Sequence, residues 1–213
     1  RRVRFTTSHP AQMTADILDA MKDAHPTVCP YLHLPVQSGS SRVLKDMRRG
    51  YDRDGYLRKI AALRERIPEI ALGTDVIVGF PTETEDDLED TLSLLSEVGF
   101  DTCYSFAYSP RPGTAALRFA DRVPPEEKLQ RLARLQELQK GIQHERMQRW
   151  VDRTLEVRVE GRSKRRAEES TGRTPENRVV NFAGTATPGS LETVRILGAT
   201  AFSLRGERVQ VTA

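Results

Sequence analysis

The stretch IALGTDVIVGFPTETEDD, residues 70–87, is the most informative guide to the fold. Its first eleven residues form the most strand-like run in the chain, and Pro81 ends that run. The acidic residues that follow occupy the first turn of a predicted helix, where they complement the positive end of the helix dipole. Helix capping explains this acidic run, so we do not interpret it as a metal site. A strand followed by an amphipathic helix is one unit of an α/β fold.

The same alternation extends over the first two-thirds of the chain. Strand-like runs at residues 3–7, 31–36 and 100–109 alternate with helical patterns. A long, highly charged helix is predicted from residue 124 to about residue 150. This order of elements is typical of βα units built around a parallel sheet.

Beyond the long helix the hydrophobic periodicity changes to two. Four or five short alternating strands, broken by Gly, Pro, Ser and Thr, follow within about 60 residues, a spacing typical of small all-β domains. The pattern predicts a small antiparallel barrel. We therefore divide the chain into domains at residues 1–147 and 148–213.

The composition is that of an ordinary globular protein, with 38% hydrophobic and 30% charged residues. These values exclude a disordered tail. No apolar run approaches the roughly 20 residues that span a bilayer, so no membrane association is expected. The opening residues lack the apolar core of a signal peptide, and the chain does not begin with methionine. We therefore expect a fragment of a longer protein.

The two cysteines, Cys29 and Cys103, are too few for a disulfide scaffold and lack the close spacing of zinc or cluster ligands. We interpret them as buried or half-buried thiols and expect a reducing, cytoplasmic location. The sequence contains no GxGxxG, Walker A, GxSxG or HExxH motif. The common nucleotide-binding, hydrolase and zinc-protease classes are therefore excluded.

The charge is unevenly distributed along the chain. Residues 1–147 hold 21 basic and 22 acidic residues, whereas residues 148–213 hold 12 basic and eight acidic ones. Eleven of those 12 basic residues are arginines. A near-neutral body thus carries a small basic module at its end.

Polar residues mark the ends of the predicted strands, which is where α/β barrels build their active sites. Asp75 lies within an apolar strand, so its carboxylate must be paired, solvated in a cavity or bound to a ligand. Gly39 and Gly79 either permit tight turns or allow a ligand to approach the backbone. His33 is expected to be a satisfied structural histidine, and His9 either caps a loop or faces the site.

Six strings in chain order resemble those of the radical-SAM methylthiotransferases, in particular the tRNA branch that makes 2-methylthio-N6-isopentenyladenosine. The last of them is similar to the TRAM domain, a small RNA-binding β-barrel, in its tRNA-modifying form. The six strings are RFTTSHP (4–10), HLPVQSGS (33–40), VLKxMxR (43–49), DxIVGFPxETE (75–85), YSFxYSxRPGT (104–114) and GRTxxNRVVNF (172–182).

The resemblance implies the second half of a partial (β/α)6 radical-SAM barrel, followed by an OB-like TRAM barrel. The family uses S-adenosylmethionine and two [4Fe–4S] clusters. Their cysteine ligands lie in a preceding domain and in a CxxxCxxC loop, and neither feature occurs in this sequence. Cys29 and Cys103 do not match ligand positions, so we expect no metal ligand here and an inactive segment when it is alone.

The resemblance also implies roles for individual residues, although it assigns no catalytic residue. Gln37 and Ser38 would contact the ribose and amino-acid end of S-adenosylmethionine, and the Arg49 guanidinium its carboxylate. Asp75 would accept from a ribose hydroxyl or the amino group. Val78 and Gly79 would pack beside the adenine, with Tyr108 closing the pocket. For each of these positions the alternative is a purely structural role, as a residue packed at the end of a strand. The sequence departs from the family at Thr82, where the family usually has Gly, and this difference affects only the local turn.

The resemblance implies that arginines of the basic module contact the phosphates of tRNA, while the barrel recognises the shape of the RNA. For any single arginine the alternative is a solvated surface. The candidate residues are Arg158, Arg162, Arg165, Arg166, Arg173 and Arg178.

The predicted function is therefore that of the C-terminal portion of a tRNA methylthiotransferase. Its partners would be the tRNA anticodon stem-loop and an electron donor such as flavodoxin or ferredoxin, and the enzyme would act as a cytoplasmic monomer. Two alternatives remain open. One is a stand-alone RNA-binding module, and the other is the ribosomal-protein branch of the family, which modifies an aspartate.

Overall fold

The structure, a computed structural model, describes residues 2–4, 6, 9–164, 166 and 168–209. It contains two parts joined by a long helix. The helices are α1 (Ala15–Asp23), α2 (Ser41–Asp46), α3 (Arg53–Arg66), α4 (Glu85–Val98) and α5 (Pro125–Gln148), with short 3-10 turns at Pro10–Gln12 and Ala115–Arg118. The strands are β1 (Tyr31–His33), β2 (Ala71–Val78), β3 (Thr102–Ala107), β4 (Thr154–Arg162), β5 (Glu169–Arg173), β6 (Val179–Ala183), β7 (Leu191–Ala199) and β8 (Leu204–Arg208).

Strands β1, β2 and β3 form the predicted parallel sheet, in that order. β1 is shorter than the predicted strand at 31–36 because Pro35 lacks an N–H to donate to the ladder; the pairing resumes at a bridge between Gln37 and Val76. The predicted strand at 3–7 is represented by bridges of Val3 to Val28 and Thr6 to His33, and its residues 5 and 7 lie outside the described part.

The two faces of this sheet have different environments. One face buries apolar residues such as Leu72 and Val76 in a core shared with α3, α4 and α5. The register places His33 opposite Gly73, and Asp75 opposite Tyr104, so their side chains share the other face. There Tyr104 is 54% exposed. β2 therefore buries Leu72, Thr74 and Val76 on its helix-covered face, and the partly accessible residues of β2, Asp75 and Ile77, lie on the other face.

The acidic run begins α4, as its sequence predicts. The hydroxyl of Thr84 accepts from the Asp87 amide, and the Asp87 carboxylate accepts from the Thr84 amide, which forms a capping box. Asp87 also accepts from Ser40 Oγ at 2.6 Å and from the guanidinium of Arg42. This one carboxylate therefore holds the start of α4 against the start of α2.

Strands β4 to β8 close into a barrel with the order β4-β5-β6-β8-β7. The expectation of an antiparallel barrel is correct for four of its pairings, but β6 and β8 are parallel. The antiparallel prediction fails there because β8 pairs on one side with β7, its antiparallel hairpin partner, and on the other side with β6. Since β6 and β7 run in opposite directions relative to β8, the β6–β8 pairing is parallel. The barrel core contains Val157, Val180, Phe182, Val194, Ile196 and Leu204.

The two parts meet at Asp101, which immediately precedes β3. Its carboxylate accepts from the Leu72 amide at 2.9 Å, from Arg146 of α5 at 2.9 Å and from Arg178 of the barrel at 2.7 Å. Arg178 also lies over the ring of Trp150, 4.5 Å from its centroid. Sheet, connector helix and barrel are thus joined through one buried carboxylate.

A second set of contacts supports the junction. Arg2 and Arg4 donate to the backbone oxygens of Arg173 and Thr174, at 3.0 and 2.6 Å. These bonds hold the β5–β6 turn of the barrel beside the first bridged segment of the sheet. Within the described ranges, no helix combines the length and apolar character required to cross a membrane.

Replacing Asp87 with Asn tests the pH dependence of the fold. Burial opposes ionisation of Asp87, but its hydrogen bonds from Arg42, Ser40 and Thr84 outweigh that effect and lower its pKa to about 2. A lowered carboxyl pKa stabilises the folded state above the unfolded-state pKa and is lost as the pH falls through the folded-state value. Urea unfolding should therefore show a cost of about 2 kcal/mol for Asp87→Asn at pH 7, with about half of that difference remaining at pH 3.

Asp90→Asn, at an exposed position of the same helix, is the matched control and should change stability by less than about 0.5 kcal/mol. A difference between wild type and Asp87→Asn that is the same at pH 3 and pH 7 would contradict this role of Asp87.

Candidate functional site

The carboxyl ends of the three parallel strands meet at one edge of the sheet, and Gln37 lies there in a left-handed conformation with φ of 73°. The backbone N–H of Gln37 donates to the backbone carbonyl of Asp75 at 2.8 Å, and the backbone carbonyl of Gln37 accepts from the N–H of Ile77 at 2.9 Å. A non-glycine residue at positive φ is strained, and such residues concentrate at functional sites. Gln37 is thereby held beside Asp75 at this edge.

Asp75 is paired, which was one of the three states that its position in the strand allowed. Its Oδ1 lies 3.2 Å from Nε2 of His33, and its side chain remains 29% exposed. The Tyr104 ring lies 5.9 Å from that of His33. Asp75 thus combines a structural partner with access to a ligand, and His33 has the structural role predicted for it.

Arg49 lies near the same edge, after α2. Its charge acts on Tyr51, whose hydroxyl donates to the Val36 oxygen at 3.0 Å. Burial of Tyr51 outweighs the effect of Arg49 and raises the Tyr51 pKa to about 12. The His9 ring packs edge-on against Tyr51, with 5.5 Å between centroids. Arg49 is half-buried, and its charge acts beside the segment that follows β1, where Tyr51 is bonded.

Three of the predicted cofactor positions are occupied by packing. Ser38 is fully buried, with its Oγ 3.3 Å from Thr91 Oγ1, and Val78 is fully buried in the core. Gly79 has φ of 70°, and a Cβ there would collide with Lys128. The absent side chain of Gly79 thus makes room for Lys128, and the predicted contact of Gly79 with an adenine stays a prediction. At these positions the packed strand end is the interpretation that the geometry favours.

Tyr108 follows β3 and belongs to a cluster that the sequence did not indicate. Its ring packs against Phe80 at 5.5 Å, and Nζ of Lys128 lies 5.2 Å from its centroid. Lys128 in turn donates to Asp121 at 2.5 Å. Burial, and then the charge of Asp121, raise the pKa of Tyr108. α5 therefore holds Tyr108 over the ends of β2 and β3.

The loop after β2 is held by a buried ion pair that was also missed. Oε1 of Glu83 accepts from Arg131 of α5 at 2.8 Å and from the Gly79 amide at 2.7 Å. The two charged side chains are 1% and 6% exposed. The sequence showed Glu83 only as part of an acidic run, because its partner lies 48 residues later.

Iron–sulfur ligation does not fit the residues that the structure describes. Among them no group of three or more His, Cys, Asp or Glu side chains is placed to hold a metal ion. Cys29 is buried, and burial together with the nearby Asp75 charge raises the pKa of Cys103 to about 12. The raised pKa of Cys103 is the opposite of the lowered pKa typical of a reactive or ligating thiolate.

The closed barrel carries a groove of about 380 Å³ between its β4–β5 and β7–β8 loops. Arg166 and Arg205 line it and both contact Glu169 on its floor, at 3.1 and 2.9 Å. Asn181 of β6 also lines it, and Phe202 in the β7–β8 loop is 67% exposed. Of Arg166, Arg205, Asn181 and Phe202, only Arg166 was predicted as an RNA-binding residue. The alternation of side chains along β8, which places Arg205 on the outer face of the barrel, is the signal that would have indicated Arg205.

The other predicted arginines fall into different environments. Arg158 and Arg162 are exposed on β4, and Arg173 is half-buried, with its Nε 3.1 Å from Glu160. Arg165 lies outside the described residues. Arg178 is 5% exposed and bonded to Asp101, which gives it a role in the junction, and its predicted contact with phosphate stays a prediction.

Comparison with known proteins agrees with this architecture. A family model of the radical SAM superfamily matches residues 1–95, and one of the TRAM domain matches residues 148–209. The fold is similar to that of coproporphyrinogen III oxidase from Escherichia coli, a radical SAM enzyme. That match has a TM-score of 0.55 at 23% identity and covers 66% of this chain and 32% of that one.

Curated relatives give a more specific match. Proteins named tRNA-2-methylthio-N(6)-dimethylallyladenosine synthase are 50% identical in Syntrophobacter fumaroxidans, 49% in Chlorobaculum tepidum and 50% in Myxococcus xanthus. The matches cover 97%, 98% and 98% of this chain but 45%, 47% and 46% of those proteins. The chain thus spans about half the length of these relatives. Residues 1–95 thus resemble the radical SAM superfamily and residues 148–209 the TRAM domain, and the chain as a whole is similar to relatives named tRNA-2-methylthio-N(6)-dimethylallyladenosine synthase.

Proposed function

We propose that the protein containing this chain adds a methylthio group to C2 of N6-isopentenyladenosine in the anticodon loop of tRNA. The observation that carries this proposal is the union, through the buried Asp101–Arg178 bond of 2.7 Å, of a radical SAM sheet with a TRAM barrel. One part offers a cofactor edge and the other an RNA-binding surface. The similarity to the named synthases extends over both.

The barrel groove supports RNA as the substrate. OB-like barrels bind oligonucleotides on one sheet face and on the loops that the groove of this barrel also uses. Arg166 and Arg205 of the groove offer guanidiniums to phosphates. The exposed Phe202 ring, in the β7–β8 loop that borders the groove, lines a separate cavity beside α5 and offers a surface on which an unpaired base stacks. Arg158 and Arg162 extend the positive surface along β4. Recognition of a single-stranded loop is the role that this combination suits.

The edge of the sheet supports S-adenosylmethionine as the cofactor. Asp75, half-buried beside His33, would accept from a hydroxyl or ammonium group of S-adenosylmethionine, and Arg49 would pair with its carboxylate. Gln37 and Tyr108 border the same edge at the ends of β1 and β3. When bound, S-adenosylmethionine supplies the radical chemistry and the methyl group, while the protein positions it.

Three further parts of the proposal concern the whole protein. Two [4Fe–4S] clusters would be held by residues outside this chain and reduced by a donor such as flavodoxin or ferredoxin. The protein would work as a cytoplasmic monomer. Residues 1–147 would serve the cofactor and residues 148–213 the tRNA, whose target adenine must leave its stack to reach the sheet.

Phe202→Ala tests the RNA surface. Loss of a stacking ring costs about 1–3 kcal/mol, so the affinity of the chain for a tRNA transcript should fall by roughly 5- to 150-fold. Fluorescence anisotropy at fixed salt measures it. Leu129→Ala removes a side chain that is 62% exposed on α5 and should leave the affinity unchanged. Equal affinities for wild type and Phe202→Ala would exclude this loop from the RNA surface.

Asp75→Asn tests the cofactor edge and the reaction together. The gene containing this chain is expressed in a bacterial strain that lacks the tRNA methylthiotransferase, and tRNA nucleosides are measured by mass spectrometry. We expect 2-methylthio-N6-isopentenyladenosine with the wild-type gene and at least about a tenfold loss with Asp75→Asn, since a carboxylate hydrogen bond to a charged group contributes about 1.5–3 kcal/mol.

Asp86→Asn, at an exposed position of α4, is the control and should retain the modification. Unmodified tRNA together with a methylthiolated aspartate in a ribosomal protein would instead assign the protein to the ribosomal-protein branch. Tight tRNA binding with neither product would favour a stand-alone RNA-binding module.

A further inference from the structure

A second basic surface lies at the junction of the two parts, away from the sheet edge and from the barrel groove. It is a cleft of about 540 Å³ lined by Arg64, Arg146, Arg149, Arg153, Arg178 and Trp150, which we call the arginine cleft. Ile70, just before β2, also borders it. The cleft therefore lies at the opposite end of β2 from the cofactor edge, roughly 25 Å away for an eight-residue strand.

The floor of the cleft concentrates positive charge. Arg146 and Arg178 share the single carboxylate of Asp101, at 2.9 and 2.7 Å. Arg64 donates to the Val98 oxygen at the end of α4, at 2.5 Å. Burial, and then the charge of Arg146, lower the pKa of Arg64. The floor thus holds the guanidiniums of Arg64, Arg146 and Arg178. The one carboxylate that these arginines share, that of Asp101, already accepts hydrogen bonds from two of them.

The rim carries two more guanidiniums. Arg149 and Arg153 are exposed, and neither forms a salt bridge with any residue that the structure describes. The guanidinium carbon of Arg153 lies over the Trp150 ring, 5.1 Å from the ring centroid. Two glutamates, Glu69 and Glu97, also border the cleft, but Glu97 is paired with Arg53 at 2.9 Å. The negative end of a helix dipole accounts for Arg64, beside the end of α4, and for Arg149, the C-cap residue of α5, whereas Arg153 lies beyond the end of α5.

We propose that the arginine cleft binds phosphate groups of the RNA backbone. Guanidinium forks match phosphate oxygens in geometry and charge, and two unpaired forks on the rim meet such a ligand without first breaking an ion pair. The inference rests on the proposed function, because RNA is the phosphate-rich ligand of the TRAM barrel beside the cleft. An RNA that reaches both the cleft and the cofactor edge must extend well beyond the target base, so the full tRNA is the appropriate probe.

The test is the salt dependence of tRNA binding by the whole 213-residue chain. Arg149→Gln and Arg153→Gln are combined, both at exposed positions that leave the fold intact. Each phosphate contact contributes nearly one unit to the slope of log K against log salt concentration, so the double variant should reduce that slope by about 1 to 2. Lys22→Gln with Arg58→Gln removes the same charge from exposed positions on α1 and α3 and should leave the slope unchanged.

The outcomes distinguish failure of the cleft proposal from failure of the proposed function. If the wild-type chain binds tRNA but the slopes of both double variants equal its own, the cleft proposal is overturned and the barrel groove keeps its role. If the wild-type chain does not bind tRNA at all, the proposed function itself fails. Thermal unfolding with pyrophosphate alone adds a second readout. Stabilisation that the rim double variant abolishes, with an unchanged RNA slope, would assign the cleft to a free phosphate anion and overturn the RNA assignment.

Discussion

Asp101 holds three elements of the molecule together, since its carboxylate accepts hydrogen bonds from the amide of Leu72, the guanidinium of Arg146 and the guanidinium of Arg178. The Asp101 and Arg178 side chains are 8% and 5% exposed, and burial of isolated charges costs several kcal/mol per ion. The charges are therefore tolerable only while all three elements stay in place. The same constraint orients the TRAM barrel relative to the sheet, because Arg178 is the barrel residue that reaches Asp101.

The functional surfaces follow from this arrangement. The cofactor edge lies at the carboxyl ends of β1, β2 and β3, and α5 reaches it through Lys128 and Arg131 while its far end reaches Asp101 through Arg146. One helix therefore sets the distance between the cofactor edge and the barrel. Under the proposed function, an RNA held in the barrel groove would meet a sheet whose position relative to the groove is already determined, which would reduce the entropy lost when substrate and cofactor are brought together.

The sequence was sufficient for elements with strong local signals. The apolar run of β2, the capped start of α4 and the alternation of β4 to β8 follow from local chemistry, and the family strings identified both parts of the chain. Contacts between distant segments were not readable in this way. Arg178 alternates like a surface residue, yet Asp101, 77 positions earlier, buries it. Gly79 looked like a ligand cradle because nothing local indicates that Lys128 fills the space. The role of Arg165 stays a prediction.

The central claim is that the buried Asp101–Arg178 bond makes sheet, helix and barrel one cooperative body. Trp150 is the single tryptophan and lies under Arg178, so its fluorescence reports the junction, whereas circular dichroism at the helical band reports the helices. Urea unfolding of the wild-type chain should give coincident transitions by both probes. In Arg178→Met the Trp150 transition should move to lower urea and separate from the helical one, while Arg158→Met, an exposed control, should behave as wild type. Coincident and unshifted transitions in Arg178→Met would contradict the claim.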